Sequence, residues 1–96
     1  MSFFVERRLR LVGRRLTKVR EELRITDEHL LHFADITDDS RIRAMVSETP
    51  QADEDHREAE RTSTALAKHR VELLSTIERL EREQDELLDD LSAQRR

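Results

Sequence analysis

The sequence has no cysteine, no tryptophan and no tyrosine, and it has only one glycine, one proline and three phenylalanines. Without cysteine there is neither a disulfide framework nor a thiolate zinc site, which suits a reducing cytoplasm. One glycine and one proline in 96 residues leave room for about one real turn, which excludes most sheet folds and loop-built enzymes. No apolar run approaches the roughly 20 residues of a membrane span. The start, Met1-Ser2-Phe3-Phe4-Val5-Glu6-Arg7-Arg8, lacks the uninterrupted apolar core of a signal peptide. So few aromatics also remove the stacking platforms that grip single-stranded nucleic acid, and no nucleic-acid partner is expected.

Charge is what the chain has in quantity. It makes up 42% of the residues, and its distribution says more than the net value of −4. Residues 1–34 hold eight basic and five acidic side chains, residues 35–60 hold three and nine, and residues 61–96 hold seven and eight. The acid is therefore concentrated mid-chain.

Between the charges runs a seven-residue repeat. In the second half Ala52, Ala59, Leu66, Leu73, Leu80 and Leu87 alternate with His56, Ser63, Arg70, Ile77, Gln84 and Leu91. This three-four spacing is the narrow seam of a coiled-coil helix rather than the wider stripe of a globular one. The first half carries its own seam: Val5, Leu9, Val12, Leu16, Val19, Leu23, Thr26, Leu30 and Phe33. Gly13 lies within it and costs about 1 kcal/mol relative to alanine without breaking the phase.

Beyond Phe33 two continuations are open. Strict continuation uses Thr37, Ser40, Ala44 and Ser47, all small or polar, and strands Ile42, Met45 and Val46 on the outside. Alternatively the helix breaks near Asp38–Ser40 and a short helix over 41–47 repacks. The next punctuation is clear. Thr49 can cap and Pro50 suits a first helical position, so a second helix starts there. The expected organisation is one domain over 1–96: a first helix from about 3 to 34 or on to 47, a turn near 47–50, and a second helix from 50 to about 92.

Folding the chain back at Glu48–Thr49 sets residues whose numbers sum to 96 opposite each other, such as Leu9 with Leu87, Leu16 with Leu80 and Leu23 with Leu73. In that register the flanking charges pair Arg8 with Asp90, Arg15 with Glu83, Arg43 with Asp55 and Arg41 with Asp53. Thr26 opposite Arg70 adds a polar layer. The predicted fold is all-α, a long antiparallel coiled-coil hairpin. Apolar residues outside the seam, Leu11, Ile25, Leu31, Val71, Leu74 and Leu88, form a second contact surface, most simply for a homodimer that makes a four-helix bundle.

The chemistry implied is that of binding. There is no glycine-rich phosphate loop, no serine in an elbow context, and the carboxylates sit on solvated helix faces, so no catalytic residue and no cofactor is expected. His29 and His69 occupy facing positions with His32 one turn on, but no HExxH pair or cysteine accompanies them, and they read as surface histidines rather than metal ligands. The basic run Arg7, Arg8, Arg10, Arg14, Arg15, Lys18 and Arg20 faces acids of the second helix, which would neutralise most of it. With Phe3 and Phe4 it could otherwise lie on an anionic membrane.

The tip is the favoured docking site. There Ile42, Met45 and Val46 stand among acids that include Asp53, Glu54 and Asp55, a pattern suited to a basic-rimmed groove on a protein partner. An acid-rich hairpin tip, with the segment Ala52-Asp53-Glu54-Asp55-His56-Arg57-Glu58-Ala59-Glu60, resembles the coiled-coil arm of Gre-type and DksA/TraR-type factors. That resemblance implies a regulator reaching into an RNA polymerase channel. It covers one short segment, and the cysteine zinc finger of DksA-like proteins has no counterpart here. The expected function is a cytoplasmic, non-enzymatic adaptor or regulatory subunit. The alternatives are the polymerase regulator and a peripheral membrane or cell-division scaffold.

Overall fold

The computed structural model describes residues 2–94. Two helices make up the structure, α1 over Ser2–Ser47 and α2 over Pro50–Gln94, and among the described residues there is no strand. They form a helical hairpin. The first helix runs unbroken through Asp38–Ser40, so of the two continuations left open by the sequence it is the strict one that forms. Its reason is visible in the residue types: small Thr37, Ser40 and Ala44 let the backbones keep their spacing without a bulky core. Every seam position of α1 from Val5 to Ala44 is buried or half-buried, as is every one of α2 from Ala52 to Leu91.

The reversal is short. Ser47 ends α1, Glu48 adopts a left-handed backbone with φ 50°, and its N–H still donates to the Ala44 carbonyl at 3.2 Å. Thr49 then caps α2. Its Oγ1 accepts from the Ala52 N–H at 3.2 Å and its carbonyl from the Asp53 N–H at 3.1 Å. Pro50 takes the first helical position, where no N–H is needed.

The chain divides into two compact units, one of the stretches Met1–Leu23 and Glu72–Arg96, the other of Arg24–Val71. The first, the base unit, holds the apolar core. Val12, Leu16, Ile77 and Leu80 form its buried cluster, with Val19, Leu23 and Leu87 packed against it. Leu16 with Leu80 and Val19 with Ile77 are the pairs that the folded-back register sets opposite. Ion pairs cross between the helices here, among them Arg8 Nε to Glu83 at 2.6 Å and Arg20 to Glu81 at a looser 3.9 Å. Arg8 thus takes Glu83 in place of the Asp90 expected from register, two helical turns away on the same flank, because a long guanidinium stem can lean either way along the helix. The bond and charge of Glu83 hold the Arg8 guanidinium above its ordinary pKa.

The second unit, at the tip, is held differently. Its buried residues are Ala59 and two hydroxyl residues, Thr26 and Ser40. A hydrogen-bonded ladder replaces leucine packing. Thr37 Oγ1 lies 2.7 Å from the Phe33 carbonyl, 3.4 Å from the Ala59 carbonyl and 3.1 Å from Ser63 Oγ. Ser40 Oγ lies 2.9 Å from the Thr37 carbonyl and 3.1 Å from His56 Nδ1. Arg70 Nε donates to Asp27 at 2.7 Å, the neighbour of the Thr26 that faces it in register. Thr37 with Ala59 and Ser40 with His56 also sum to 96, so the same register holds in this unit. Among the described residues no buried polar side-chain atom lacks a partner. This matters because an unpaired buried polar group costs about 1–3 kcal/mol, more than a typical hydrogen bond contributes.

Candidate functional site

Because α1 does not break, Ile42, Met45 and Val46 have no seam to join. They are separated by three and four residues, so they share the outer surface of the last turns of α1. They are 57%, 72% and 78% exposed. Three adjacent aliphatic side chains left in water at one place are the pattern of an anchor for a groove, since single exposed apolar residues are ordinary but clusters are not.

The acids around this spot are less free than their number suggests. Glu54 receives Arg57 at 3.4 Å and Arg61 at 3.0 Å. Asp55 accepts from Gln51 at 2.8 Å, and Asp39 is paired with Arg43 one turn on. Arg43 therefore serves its own helix rather than Asp55, as local pairs four residues apart need no tertiary geometry. Arg43 and Asp55 both line a small cleft of about 190 Å³ with Ser40, Ser47, Thr49, Gln51 and Ala52. Of the three acids assigned to the tip from sequence, Asp53 sits exposed in the first turn of α2, where a carboxylate also suits the positive end of the helix dipole. The tip is thus an apolar spot beside a partly neutralised acidic rim.

His56 also stands out in this unit. It is a seam residue, with its ring between Ser40 Oγ and a Glu60 carboxylate 2.9 Å from Nε2. Among the described residues no cluster of three or more histidine, cysteine, aspartate or glutamate side chains could hold a metal ion, around His29 and His69 or elsewhere. The signal for His56 was its seam position opposite a serine: an imidazole there must find partners on both nitrogens.

Of the residues assigned to self-association, Leu31 and Val71 are largely exposed, while Leu11, Ile25, Leu74 and Leu88 are each a little over a third to one half exposed. At the start of α1 Phe3 and Phe4 are exposed as well, in edge-to-face contact with each other. Phe4, Arg7, Arg8, Leu11 and Arg14 line a shallow cleft of about 390 Å³ on one side of the helix. No described helix is long and apolar enough to cross a membrane. No protein-family model matches the chain, and no curated protein or solved structure matches it.

Proposed function

We propose that the chain is a non-enzymatic protein–protein interaction module, an adaptor or regulatory subunit, that docks a partner with Ile42, Met45 and Val46. The observation that carries this reading is the unbroken α1, which leaves these three aliphatic side chains in water instead of closing the hairpin end. Asp53, Glu54 and Asp55 form the acidic side of the site. The matching partner surface is an apolar groove with basic residues on its rim. The module also pairs with itself through the apolar residues outside its seam.

A photo-crosslinker at Met45, in the protein expressed in its own cells and read by mass spectrometry, tests the docking role. One dominant foreign partner, lost when Val46→Asp is added, is the expected result. Crosslinks only to a second copy would overturn it and make the tip an oligomer contact.

A second reading rests on the exposed Phe3 and Phe4 beside Arg7, Arg8 and Arg14, which suit an anionic membrane surface. Flotation with anionic liposomes at low salt tests it. A protein left at the bottom of the gradient would end this reading.

A further inference from the structure

The base unit carries two outward stripes that complement each other but cannot meet within one molecule. On α1, steps of four and three place Leu11, Arg15 and Lys18 on one line. On α2 the same steps place Leu74, Glu78, Glu81, Asp85 and Leu88 on one line. The α2 stripe has a leucine at each end and three acids between, so it reads alike in both directions. On the α1 stripe the leucine is followed by two bases, with Arg8 one step before it and Glu22 one step after them on the same line. Leu11, Leu74 and Leu88 are all partly exposed. Among the described residues Arg15, Lys18 and Asp85 have no ion-pair partner, and Glu81 and Glu78 have only loose ones at 3.9 Å.

The cross-helix ion pairs of Arg8 and Arg20 show where these stripes lie. Arg8 precedes seam residue Leu9 and meets Glu83 on one flank of the seam. Arg20 follows seam residue Val19 and meets Glu81 on the other. Arg15 is seven residues from Arg8, so the α1 stripe belongs to the first flank. Leu74 and Leu88 are each seven residues from Glu81, so the α2 stripe belongs to the second.

Resting on the reading that the module pairs with itself, we infer that the occupant of the α1 stripe is the α2 stripe of a second copy, joined face to back. Leucine meets leucine at the end, and Arg15 and Lys18 meet two of the three acids. A contact between two different patches is heterologous, and patches on opposite flanks prevent two rigid copies from satisfying both at once. Association therefore continues beyond a dimer, into a ring or an open stack, and does not stop at a closed four-helix bundle.

Sedimentation equilibrium of the full chain over a wide concentration range tests this. The expected result is a weight-average mass that rises past the dimer. The double variant R15E/K18E and the double variant E78K/E81K should each fail to grow while keeping their helical circular dichroism. Mixed in equal amounts they should grow again, since the acidic α1 of one then meets the basic α2 of the other. A dimer that stops growing, or a mixture that does not recover, would overturn the face-to-back contact while leaving self-association standing. A monomer at every concentration would instead remove the self-association reading itself.

Discussion

Replacing Leu80 with alanine should cost the fold about 3–4 kcal/mol. Leu80 is only 1% exposed and belongs to the cluster with Val12, Leu16 and Ile77. Truncation removes roughly three carbon groups at about 0.8 kcal/mol each, and the cavity left behind adds to that, which places the loss inside the usual range for buried leucines. Leu74, on the same helix, is 39% exposed and lies off the seam. Its truncation removes the same atoms, about six-tenths of them from shelter and with no closed cavity, so about 1 kcal/mol is expected in the free chain. The difference of about 2–3 kcal/mol is roughly thirtyfold to a hundredfold or more in the folded-to-unfolded ratio. With a urea slope of about 1.5 kcal/mol per molar, Leu80→Ala should bring the midpoint down by about 2 M and Leu74→Ala by well under 1 M. Helical circular dichroism followed through a urea titration reads both, at a concentration low enough that any self-association is absent. Equal losses for the two variants would refute the assignment of the core to one seam.

Four further outcomes follow from the geometry. Amide exchange should be faster in the tip unit than around Leu16 and Leu80, since hydroxyl ladders and alanine replace leucine there; equal protection would contradict the contrast between the units. Glu48→Gly should raise stability by about 0.5–1 kcal/mol, seen as a higher melting temperature, because a left-handed backbone suits glycine better. Gly13→Ala should do the same by about 1 kcal/mol, since a Cβ there meets nothing within 4 Å; a loss would mean that the glycine is kept for a close neighbour outside the chain. The raised pKa of Arg8 gives stability that is complete below its ordinary value and is lost only as pH climbs through the raised one. Between neutral pH and about pH 9 the Arg8–Glu83 bond should therefore add no slope to a stability profile, and Arg8→Gln should leave the shape of that limb unchanged.

The seam was legible because a seven-residue repeat is a statement about geometry as much as about composition. Leu16 with Leu80 needed only counting. The continuation through Thr37, Ser40 and Ala44 was harder, because small polar residues give no hydrophobic signal and Ile42, Met45 and Val46 offered a competing apolar face. What settles it is hydrogen bonding: Thr37 and Ser40 find partners across the seam, so their burial is not penalised. Individual ion pairs were the least legible. Arg8 took Glu83 and Arg43 took Asp39, because exposed guanidinium groups choose among several acids at nearly equal energy. The anchor at the tip was legible as a set of residues, and its exposure follows once α1 is continuous.

The core cluster also has a meaning in time. Leu16 and Leu80 touch one buried cluster but stand far apart along the chain. At about 5–20 residues per second, ribosomal synthesis separates them by roughly 3–13 seconds. Through that interval the apolar seam of α1 is already made and has nothing of its own to close upon. A nascent chain in this state presents Val12, Leu16, Val19 and Leu23 to whatever is near, including neighbouring chains on the same message. The late arrival of Ile77 and Leu80 makes the last third of the polypeptide the part that ends this exposure.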